Sequence, residues 1–216
     1  MFIKNKMTYH PYCIDSKTPI SKALDIMSTH NFHRLPVVED GKLIGLITEG
    51  IVRAHTPSQA TSLSIYELNY LLSKTCVEEI MIKEVITIQA DSIIEEAAVL
   101  MRKHNIGCLV VVDEQYKVTG IITKNDILDA FVDLLGYYRV GSRFVVRDIE
   151  DKPGTFNVIT ELLTKLNANI YNLGVYHIDN RVDVVIIAGG ASHELMLKGL
   201  QDLGYEVIAM LNENGI

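Results

Sequence analysis

The chain has 216 residues, of which 48% are hydrophobic and 22% charged, so it can bury real cores and is not a disordered tail. Its formal net charge is −7 and it has no cluster of Lys and Arg, which argues against a nucleic-acid partner because phosphate backbones are bound by a basic face. A small phosphorylated ligand in a local pocket stays compatible, since it needs only a few donors.

The cysteines and the apolar runs indicate the compartment. Cys13, Cys76 and Cys108 are widely spaced and form no Cys-x-x-Cys motif, which is typical of a reducing cytosol and predicts neither a disulfide framework nor a zinc site. Residues 1–10 lack the apolar core of a secretory signal. The longest apolar runs are strand-sized, far below the roughly 18–20 residues of a membrane helix. We therefore expect a cytosolic protein with no membrane partner, no metal and no bound cofactor.

An internal repeat occupies the first part of the chain. A shift of 74 residues aligns Met7 with Met81 and the pair Val37-Val38 with Val111-Val112. One extra residue in a turn raises the shift to 75, which aligns Gly45 with Gly120. Because the matches keep one register with a single gap, we interpret the two segments as two copies of one structural unit.

Each copy predicts the element order β-α-β-β-α. The predicted elements are a strand (Tyr12–Ile14; Val85–Ile88), a helix ending near His30 and His104, two strands (Leu35–Val38 and Leu43–Thr48; Leu109–Val112 and Val118–Thr123) and a helix beginning near Glu49 and Asn125. The first helices are predicted to start at Thr18, followed by Pro19, and at Ser92, with Glu95 completing a capping box. Residues 57–74 join the copies, and 63–74 read as a linker helix. A copy of about 50 residues is too small to be stable alone, so the two should pack together.

The remainder predicts a second, different unit after a polar stretch at 138–142. Its elements are strand Phe144–Ile149, helix Thr155–Leu166, strand Ile170–Ile178, a turn at Asp179-Asn180, strand Val182–Ala188, helix His193–Leu203 and strand Glu206–Met210. The order β-α-β-β-α-β is the ferredoxin-like arrangement, which by itself implies no function. The fold class is therefore a mixture of α+β and α/β.

The repeat resembles the CBS family. Segments 33–48 and 107–128 resemble the strand-turn-strand core of a CBS repeat, and Gly120 to Asp126 resembles the nucleotide signature Gly-h-h-Thr-x-x-Asp, where h is apolar. The resemblance implies a CBS domain pair over 1–136, with repeat one at about 7–56, a linker helix at 57–76 and repeat two at about 77–136.

Thr123 and Asp126 are the main candidate ligands of a nucleotide. Thr123 ends a strand and Asp126 lies in the first turn of the next helix, whose free N–H groups and partial positive charge suit a phosphate. The resemblance implies that the Thr hydroxyl contacts a phosphate, that the Asp carboxylate accepts from ribose hydroxyls, and that adenine occupies an apolar slot. Alternatively, Asp126 is only a helix N-terminal charge and Thr123 only a strand residue.

The same resemblance implies further contacts from both repeats. The matching positions are Tyr12, Cys13, His33, Gly107 and Ile121. Arg34 is the basic group placed near these positions, and it either contacts a polyphosphate or is a solvated surface residue. Repeat one keeps Thr48 but has Ile51 where repeat two has Asp126. Because Ile cannot accept hydrogen bonds from a ribose, we predict at most one good adenosine site per chain.

The C-terminal unit, residues 142–216, resembles an ACT domain. Asp151-Lys152-Pro153-Gly154 resembles the family's signature at the start of the first helix, and Asn169 falls at its second polar position. This implies an amino-acid site in which Asp151 accepts from the ammonium group and the helix N–H groups near Gly154 take the carboxylate. Alternatively, Pro153-Gly154 is an ordinary tight turn and Asn169 a helix cap. In the family such ligands bind where two ACT domains pair, which implies a homodimer.

A CBS pair followed by an ACT domain resembles the AcuB family, named for acetoin utilisation, from which we carry over no acetoin chemistry. The sequence contains no P-loop, no Gly-x-Ser-x-Gly, no Rossmann fingerprint and no His-x₃-His pair. We therefore expect a non-catalytic ligand sensor that binds an AMP- or ATP-like nucleotide, with a small amino acid as a second ligand, and that acts on an unknown regulated protein. The alternatives are a scaffold that dimerises with empty clefts and a small-molecule enzyme.

Overall fold

The structure is a computed structural model and describes residues 1–56, 64–150, 152–178 and 181–212. The chain divides into two compact units, Met1–Ile127 and Leu128–Ile216, which we describe separately. The elements that begin in the first unit are β1 (Thr8–Tyr9), β2 (Ile14–Asp15), α1 (Ile20–His30), β3 (Arg34–Glu39), β4 (Lys42–Thr48), α2 (Glu49–His55), α3 (Ile65–Lys74), β5 (Thr87–Ile88), α4 (Ile94–Lys103), β6 (Cys108–Val112), β7 (Val118–Thr123) and α5 (Lys124–Leu134). The predicted order β-α-β-β-α is thus confirmed in both repeats.

Each repeat builds its own small sheet around an antiparallel hairpin. Repeat one has the order β2-β3-β4, and repeat two has the order β1-β7-β6-β5. In both, a short first strand pairs in parallel with the hairpin, β2 with β3 and β5 with β6. All five residues of β6 are buried, which agrees with their uninterrupted apolar character.

The first helix of each repeat buries the same three positions. They are Ile20, Ala23 and Met27 in α1, and Ile94, Ala97 and Met101 in α4. The spacings of three and four residues place each trio on one helical face. A shared core joins the repeats, formed by Leu43 and Leu46 of repeat one with Cys108, Val110, Val112 and Ile121 of repeat two.

The repeats exchange the segments that precede their first helices. β1, from the start of repeat one, pairs with β7 of repeat two through Thr8 opposite Ile121. In the equivalent place, Ile82 of repeat two bridges Leu46 of repeat one, with both backbone N–H···O distances at 2.9 Å. Each hairpin is therefore flanked by backbone of the other repeat, by strand β1 in one case and by the single bridge of Ile82 in the other, which sequence reasoning did not predict.

This exchange also makes the predicted helix starts wrong. α4 begins at Ile94 with Ile93 as an uncapped N-cap, and α1 begins at Ile20 with Pro19 in the N-cap position. Ile93 forms a bridge with Phe2, and the Ser92 carbonyl accepts a hydrogen bond from the Ile3 N–H at 2.9 Å. Long-range backbone pairing holds this segment extended, so Ser92 does not cap the helix.

The linker helix is confirmed over the part that the structure describes. Residues 57–63 lie outside the described residues, and α3 begins at Ile65. Ser64 and Glu67 form a capping box, since the Glu67 N–H donates to Ser64 Oγ at 3.3 Å and the Ser64 N–H donates to Glu67 Oε2 at 2.7 Å. The Ser64 N–H and the Ser64 hydroxyl both donate to the Glu67 carboxylate and hold its pKa below its ordinary value.

The second unit contains one four-stranded antiparallel sheet with two helices. Its elements are β8 (Gly141–Glu150), α6 (Thr155–Lys165), β9 (Asn169–Ile178), β10 (Arg181–Gly189), α7 (His193–Asp202) and β11 (Glu206–Asn212). The strand order is β11-β8-β10-β9. The predicted element order is observed, whereas the predicted turn at 179–180 lies outside the described residues. One core joins sheet and helices, centred on Phe144, Val184, Ile186, Leu163 and Met196.

All the helices are short. The longest, α1, α5 and α6, each have 11 residues, about half the length that a bilayer requires. Within the described ranges, no helix is long and apolar enough to cross a membrane.

We predict that Gly120→Val destabilises the protein by about 1–3 kcal/mol, because the strand exchange leaves no room for a side chain there. A Cβ at Gly120 would lie 2.6 Å from Met7 Sδ and 3.1 Å from the Thr8 carbonyl oxygen. The midpoint of urea unfolding measures the effect.

Gly50→Ala is the matched control, since the nearest atom to its added Cβ is Thr48 Oγ1 at 3.7 Å. In helix α2 this change should be neutral or stabilise by up to about 1 kcal/mol. Equal midpoints for the two variants would contradict the close-packed exchange.

Candidate functional site

Two clefts open in the first unit, where residues of both repeats meet. Cleft one has a volume of about 390 Å³ and is lined by Thr8, Pro11, Tyr12, Asn31, Phe32, His33, Arg34, Gly107, Ile121, Thr123, Lys124 and Asn125. Cleft two has a volume of about 350 Å³ and is lined by His33, Arg34, Leu46, Thr48, Glu49, Gly50, Ile82, Glu84, Val85, Ile86, Ile106, Gly107 and Cys108.

The two clefts are copies of one another under the internal repeat. The shift of 74 or 75 residues maps most of one wall onto the other, pairing Thr8 with Ile82, Tyr12 with Ile86, Phe32 with Ile106, His33 with Gly107, Ile121 with Leu46, Thr123 with Thr48 and Lys124 with Glu49. His33, Arg34 and Gly107 line both. Differences between the clefts therefore reduce to substitutions at equivalent positions.

Most of the residues predicted for the nucleotide site lie in cleft one. The predicted residues that line it are Tyr12, His33, Arg34, Gly107, Ile121 and Thr123. Asp126 and Cys13, both described residues, stand outside its wall. The Cys13 thiol donates to the Pro11 carbonyl at 3.3 Å, and burial raises its pKa, which disfavours the nucleophilic thiolate.

Thr123 and Asp126 bond to one another at the start of α5. Asp126 Oδ2 accepts from the Thr123 N–H at 2.6 Å and from the Thr123 hydroxyl at 2.7 Å. In return the Asp126 N–H donates to Thr123 Oγ1 at 3.3 Å. This arrangement caps the helix and uses the one proton of the hydroxyl, so Thr123 can donate to a phosphate only by leaving Asp126.

The backbone N–H of the first residue of α5, and that of the first residue of α2, are also hydrogen-bonded within the protein. The Lys124 N–H donates to the Gly107 carbonyl at 3.2 Å, and the Glu49 N–H donates to the His33 carbonyl at 3.1 Å. An anion in cleft one would therefore depend more on side-chain cations than the sequence suggested. Lys124, which sequence reasoning missed, supplies one of them, and its position directly after Thr123 was the available signal.

An aromatic surface forms another part of cleft one. The ring of His30 stacks on Phe32 with centroids 5.4 Å apart, and the ring centroid of Tyr12 lies 5.5 Å from that of His30. Tyr12 and Phe32 line the cleft and remain 48% and 38% exposed. Flat exposed rings of this kind offer a stacking surface to a planar ligand. Phe32 was not predicted, because its role depends on the packing of His30.

Arg34 occupies space that Gly107 leaves open. A Cβ at Gly107 would lie 3.2 Å from the nearer terminal nitrogen of the Arg34 guanidinium. Repeat one has His33 at the position equivalent to Gly107, and repeat two has Cys108 at the position equivalent to Arg34. The pair of clefts thus shares one arginine.

Cleft two differs from cleft one in its polar groups. Glu49 lies 3.1 Å from His33, measured from Oε2 to Nδ1, and Glu84 is a second carboxylate in the wall. Ile51 packs against the core of repeat one, and its N–H donates to Thr48 Oγ1 at 3.2 Å. Thr48 therefore caps α2 as Thr123 caps α5, but no carboxylate equivalent to that of Asp126 is present. Over the described part of the chain, no group of three or more His, Cys, Asp or Glu could hold a metal ion.

In the second unit, the predicted amino-acid contacts are not brought together. Asp151 lies outside the described residues. Gly154 is the N-cap of α6 with φ of +88°, a conformation that favours glycine. Asn169 begins β9 just beyond the other end of α6 and pairs with Gly189. The 11 residues of α6 span about 16 Å, so Gly154 and Asn169 lie beyond opposite ends of this helix.

Comparison with known proteins places the first unit in a family. The model of the CBS domain matches residues 3–55 and 77–133. A CBS domain-containing protein of Dictyostelium discoideum is 33% identical over 136 residues, covering 62% of this chain and 94% of that protein. An inosine-5'-monophosphate dehydrogenase of Thermoplasma acidophilum is 28% identical over 189 residues, covering 82% of this chain but only 36% of the enzyme.

Solved structures are similar over the same part of the chain. The CBS domain pair of protein MJ0100, in complex with 5'-methylthioadenosine and S-adenosyl-L-methionine, is 31% identical with a TM-score of 0.50, covering 61% of this chain and 99% of that one. A Vibrio cholerae protein assigned to acetoin utilization (AcuB) is 26% identical with a TM-score of 0.53, covering 63% and 93%. CBSX2 of Arabidopsis thaliana in complex with AMP is 25% identical with a TM-score of 0.50, covering 61% and 96%. With two matching repeats across more than half its length, the chain belongs to the CBS-domain family.

Proposed function

We propose that the protein is a non-catalytic regulatory sensor that binds one adenine nucleotide in cleft one and reports it to a partner protein. The observation that carries this proposal is the wall of cleft one, where exposed aromatic rings, Thr123 and two cations surround a space of about 390 Å³. Asp126 stands just behind this wall, bonded to Thr123. Pockets of about 300–1,000 Å³ are typical of small-molecule sites. The ligands of the similar MJ0100 and CBSX2 structures, which are AMP and adenosine derivatives, support the same class of ligand.

We propose a place in cleft one for each part of the nucleotide. Adenine would stack on the rings of Tyr12 and Phe32, with Ile121 as an apolar neighbour. The phosphate would lie near Arg34 and Lys124, the cations in the wall. Asp126 would turn Oδ1 towards the ribose hydroxyls, since its bonds to Thr123 both fall on Oδ2.

Cleft two lacks this combination, which supports one nucleotide per chain. Its position equivalent to Asp126 is Ile51, and its position equivalent to Lys124 is Glu49. It therefore lacks the carboxylate that Asp126 would offer to the ribose and the second cation that Lys124 would offer to a phosphate.

A scaffold with empty clefts is the second candidate function. It is favoured by the mutual bonds of Thr123 and Asp126, which satisfy both groups as a helix cap with no ligand. The two functions differ in whether any nucleotide stabilises the fold.

We predict that AMP or ATP raises the melting temperature of the protein, because a ligand at about 100 times its dissociation constant adds roughly 2.7 kcal/mol to the free energy of unfolding. Calorimetric titration should give one site per chain. Asp126→Ala should weaken binding by about ten- to hundredfold, which corresponds to a loss of about 1.5–3 kcal/mol. Ile51→Ala, at the equivalent position of cleft two, is the control and should leave the affinity unchanged. If no nucleotide of a panel shifts the melting curve, the scaffold function is the right one.

We also propose that the second unit, placed by the sequence at 142–216, is an ACT-type, ferredoxin-like domain that follows the CBS pair at 1–136, as in the AcuB family. The strand order β11-β8-β10-β9 with antiparallel neighbours and two helices supports this assignment. Its ligand would be a small amino acid held near Asp151, Gly154 and Asn169. Because Gly154 and Asn169 lie at opposite ends of α6, one ligand can meet both only across two copies of the domain.

We predict that mixing two inactive variants restores amino-acid binding. Gly154→Val should remove one half of the composite site, because a branched side chain is strained at φ of +88° and obstructs the backbone. Asn169→Ala should remove the other half. Calorimetry with the twenty amino acids identifies the ligand of the wild type. A refolded mixture of the two variants forms mixed dimers, and each mixed dimer should recover up to about half of the binding sites of a wild-type dimer. If the wild type binds an amino acid but the mixture of variants does not, Gly154 and Asn169 do not act together across two copies of the domain.

Exposed apolar residues support a homodimer. Ile208 and Met210 on the edge strand β11 are 46% and 50% exposed, and Leu128, Phe131 and Leu134 are exposed along α5. Edge strands and apolar patches are usually covered by a partner. The unpaired state of all three cysteines supports a reducing, cytosolic location.

We predict that light scattering at micromolar concentration gives at least a dimer mass. Leu128→Lys with Phe131→Glu should lower that mass if α5 contributes to the interface, because charges are costly in an apolar contact. A monomer mass for the wild type would remove the dimer and, with it, the composite amino-acid site.

A further inference from the structure

We propose that one pair of equivalent residues, Lys124 and Glu49, sorts ligands between the two clefts by charge. Cleft one then takes the phosphorylated nucleotide, and cleft two takes a phosphate-free ligand with a neutral or cationic group in the corresponding place. This inference rests on the proposed function of cleft one and extends it to the choice of ligand in each cleft.

The two residues occupy the same position in the two copies of the site. Lys124 is the first residue of α5 and lines cleft one, and Glu49 is the first residue of α2 and lines cleft two. The preceding residues, Thr123 and Thr48, are identical and make the same bond to the amide three positions on. Because the backbone around them is held alike, the sign of the charge is the main difference at this point.

The rest of each wall reinforces that sign. Among the described residues that line cleft one, Arg34 and Lys124 are cations and none is a carboxylate. The described lining of cleft two combines Arg34 with two carboxylates, Glu49 and Glu84. A phosphate that carries between one and two negative charges would therefore be attracted in the first cleft and repelled in the second.

Arg34 strengthens the separation because it lines both clefts. A guanidinium drawn to a phosphate in cleft one is no longer available to balance Glu49 and Glu84. Filling cleft one therefore leaves cleft two more negative, which favours a neutral or cationic ligand there. The apolar lining of cleft two, by Leu46, Ile82, Val85, Ile86 and Ile106, fits a ligand with an apolar body.

The first test compares AMP with adenosine, which differ by the phosphate alone. In calorimetric titrations, Lys124→Glu should weaken AMP by roughly tenfold or more while adenosine changes less than about threefold. Lys124→Gln should fall between wild type and Lys124→Glu. Lys124 is exposed, so these variants should fold, and equal melting temperatures verify this. The preference of the wild type for AMP should also shrink as salt is raised.

The second test introduces into cleft two the side chains that Asp126 and Lys124 provide at cleft one. Ile51→Asp alone supplies the ribose acceptor and should add a second site for adenosine but not for AMP. The double variant Glu49→Lys, Ile51→Asp should add a second AMP site, raising the AMP stoichiometry from one to two per chain. A buried Asp in place of Ile51 can destabilise repeat one, and the Lys124 variants do not depend on it.

The outcomes separate this inference from the proposed function. If wild-type protein binds neither AMP nor adenosine, the proposed function and the inference both fail. If it binds them but Lys124→Glu weakens both equally, the charge sorting is wrong while the nucleotide site stands. A second AMP site in Ile51→Asp alone would likewise overturn it, since Glu49 would then exclude nothing.

Discussion

The exchange of backbone between the two repeats is the constraint on which the first unit depends. The segment before each first helix pairs with the other repeat, through Thr8 with Ile121 and through Ile82 with Leu46. These four residues also line the clefts in equivalent pairs, Thr8 and Ile121 in one, Ile82 and Leu46 in the other. A single repeat therefore lacks the backbone partner at the edge of its hairpin and half of its cleft, so separating the repeats costs stability and removes the site. A change that weakens the contact between the repeats is for this reason expected to weaken ligand binding as well.

The sequence was informative wherever structure follows from local periodicity. The repeat register and the strands of each hairpin were predicted because apolar spacing and turn residues determine them. The predicted capping by Ser92 failed because Ile93 is paired with Phe2, more than ninety residues away in the chain. Tertiary pairing of this kind leaves no local pattern and overrides a capping preference worth about 1 kcal/mol.

The site was predicted unevenly for the same reason. Thr123 and Asp126 are defining positions of a recognisable motif and Lys124 is a variable position within it, whereas Phe32 acquires its place by stacking on His30. The structure also shows that the motif has an internal use. Because the Thr123 hydroxyl is bonded to Asp126, a contact from this hydroxyl to a ligand would replace an existing hydrogen bond, and the net gain from that contact would be smaller than a count of new contacts suggests. Such a site suits a reversible sensor better than a permanent cofactor.

Gly107 shows how little is needed to make two copies of a motif unequal. Its missing side chain admits the Arg34 guanidinium, which approaches to 3.2 Å from where a Cβ would stand. A histidine at this position, as in repeat one, would crowd the guanidinium out of the shared space. Here a single hydrogen atom in place of a side chain gives the two copies one arginine in common, so a substitution of Arg34 alters the charge of both clefts at once.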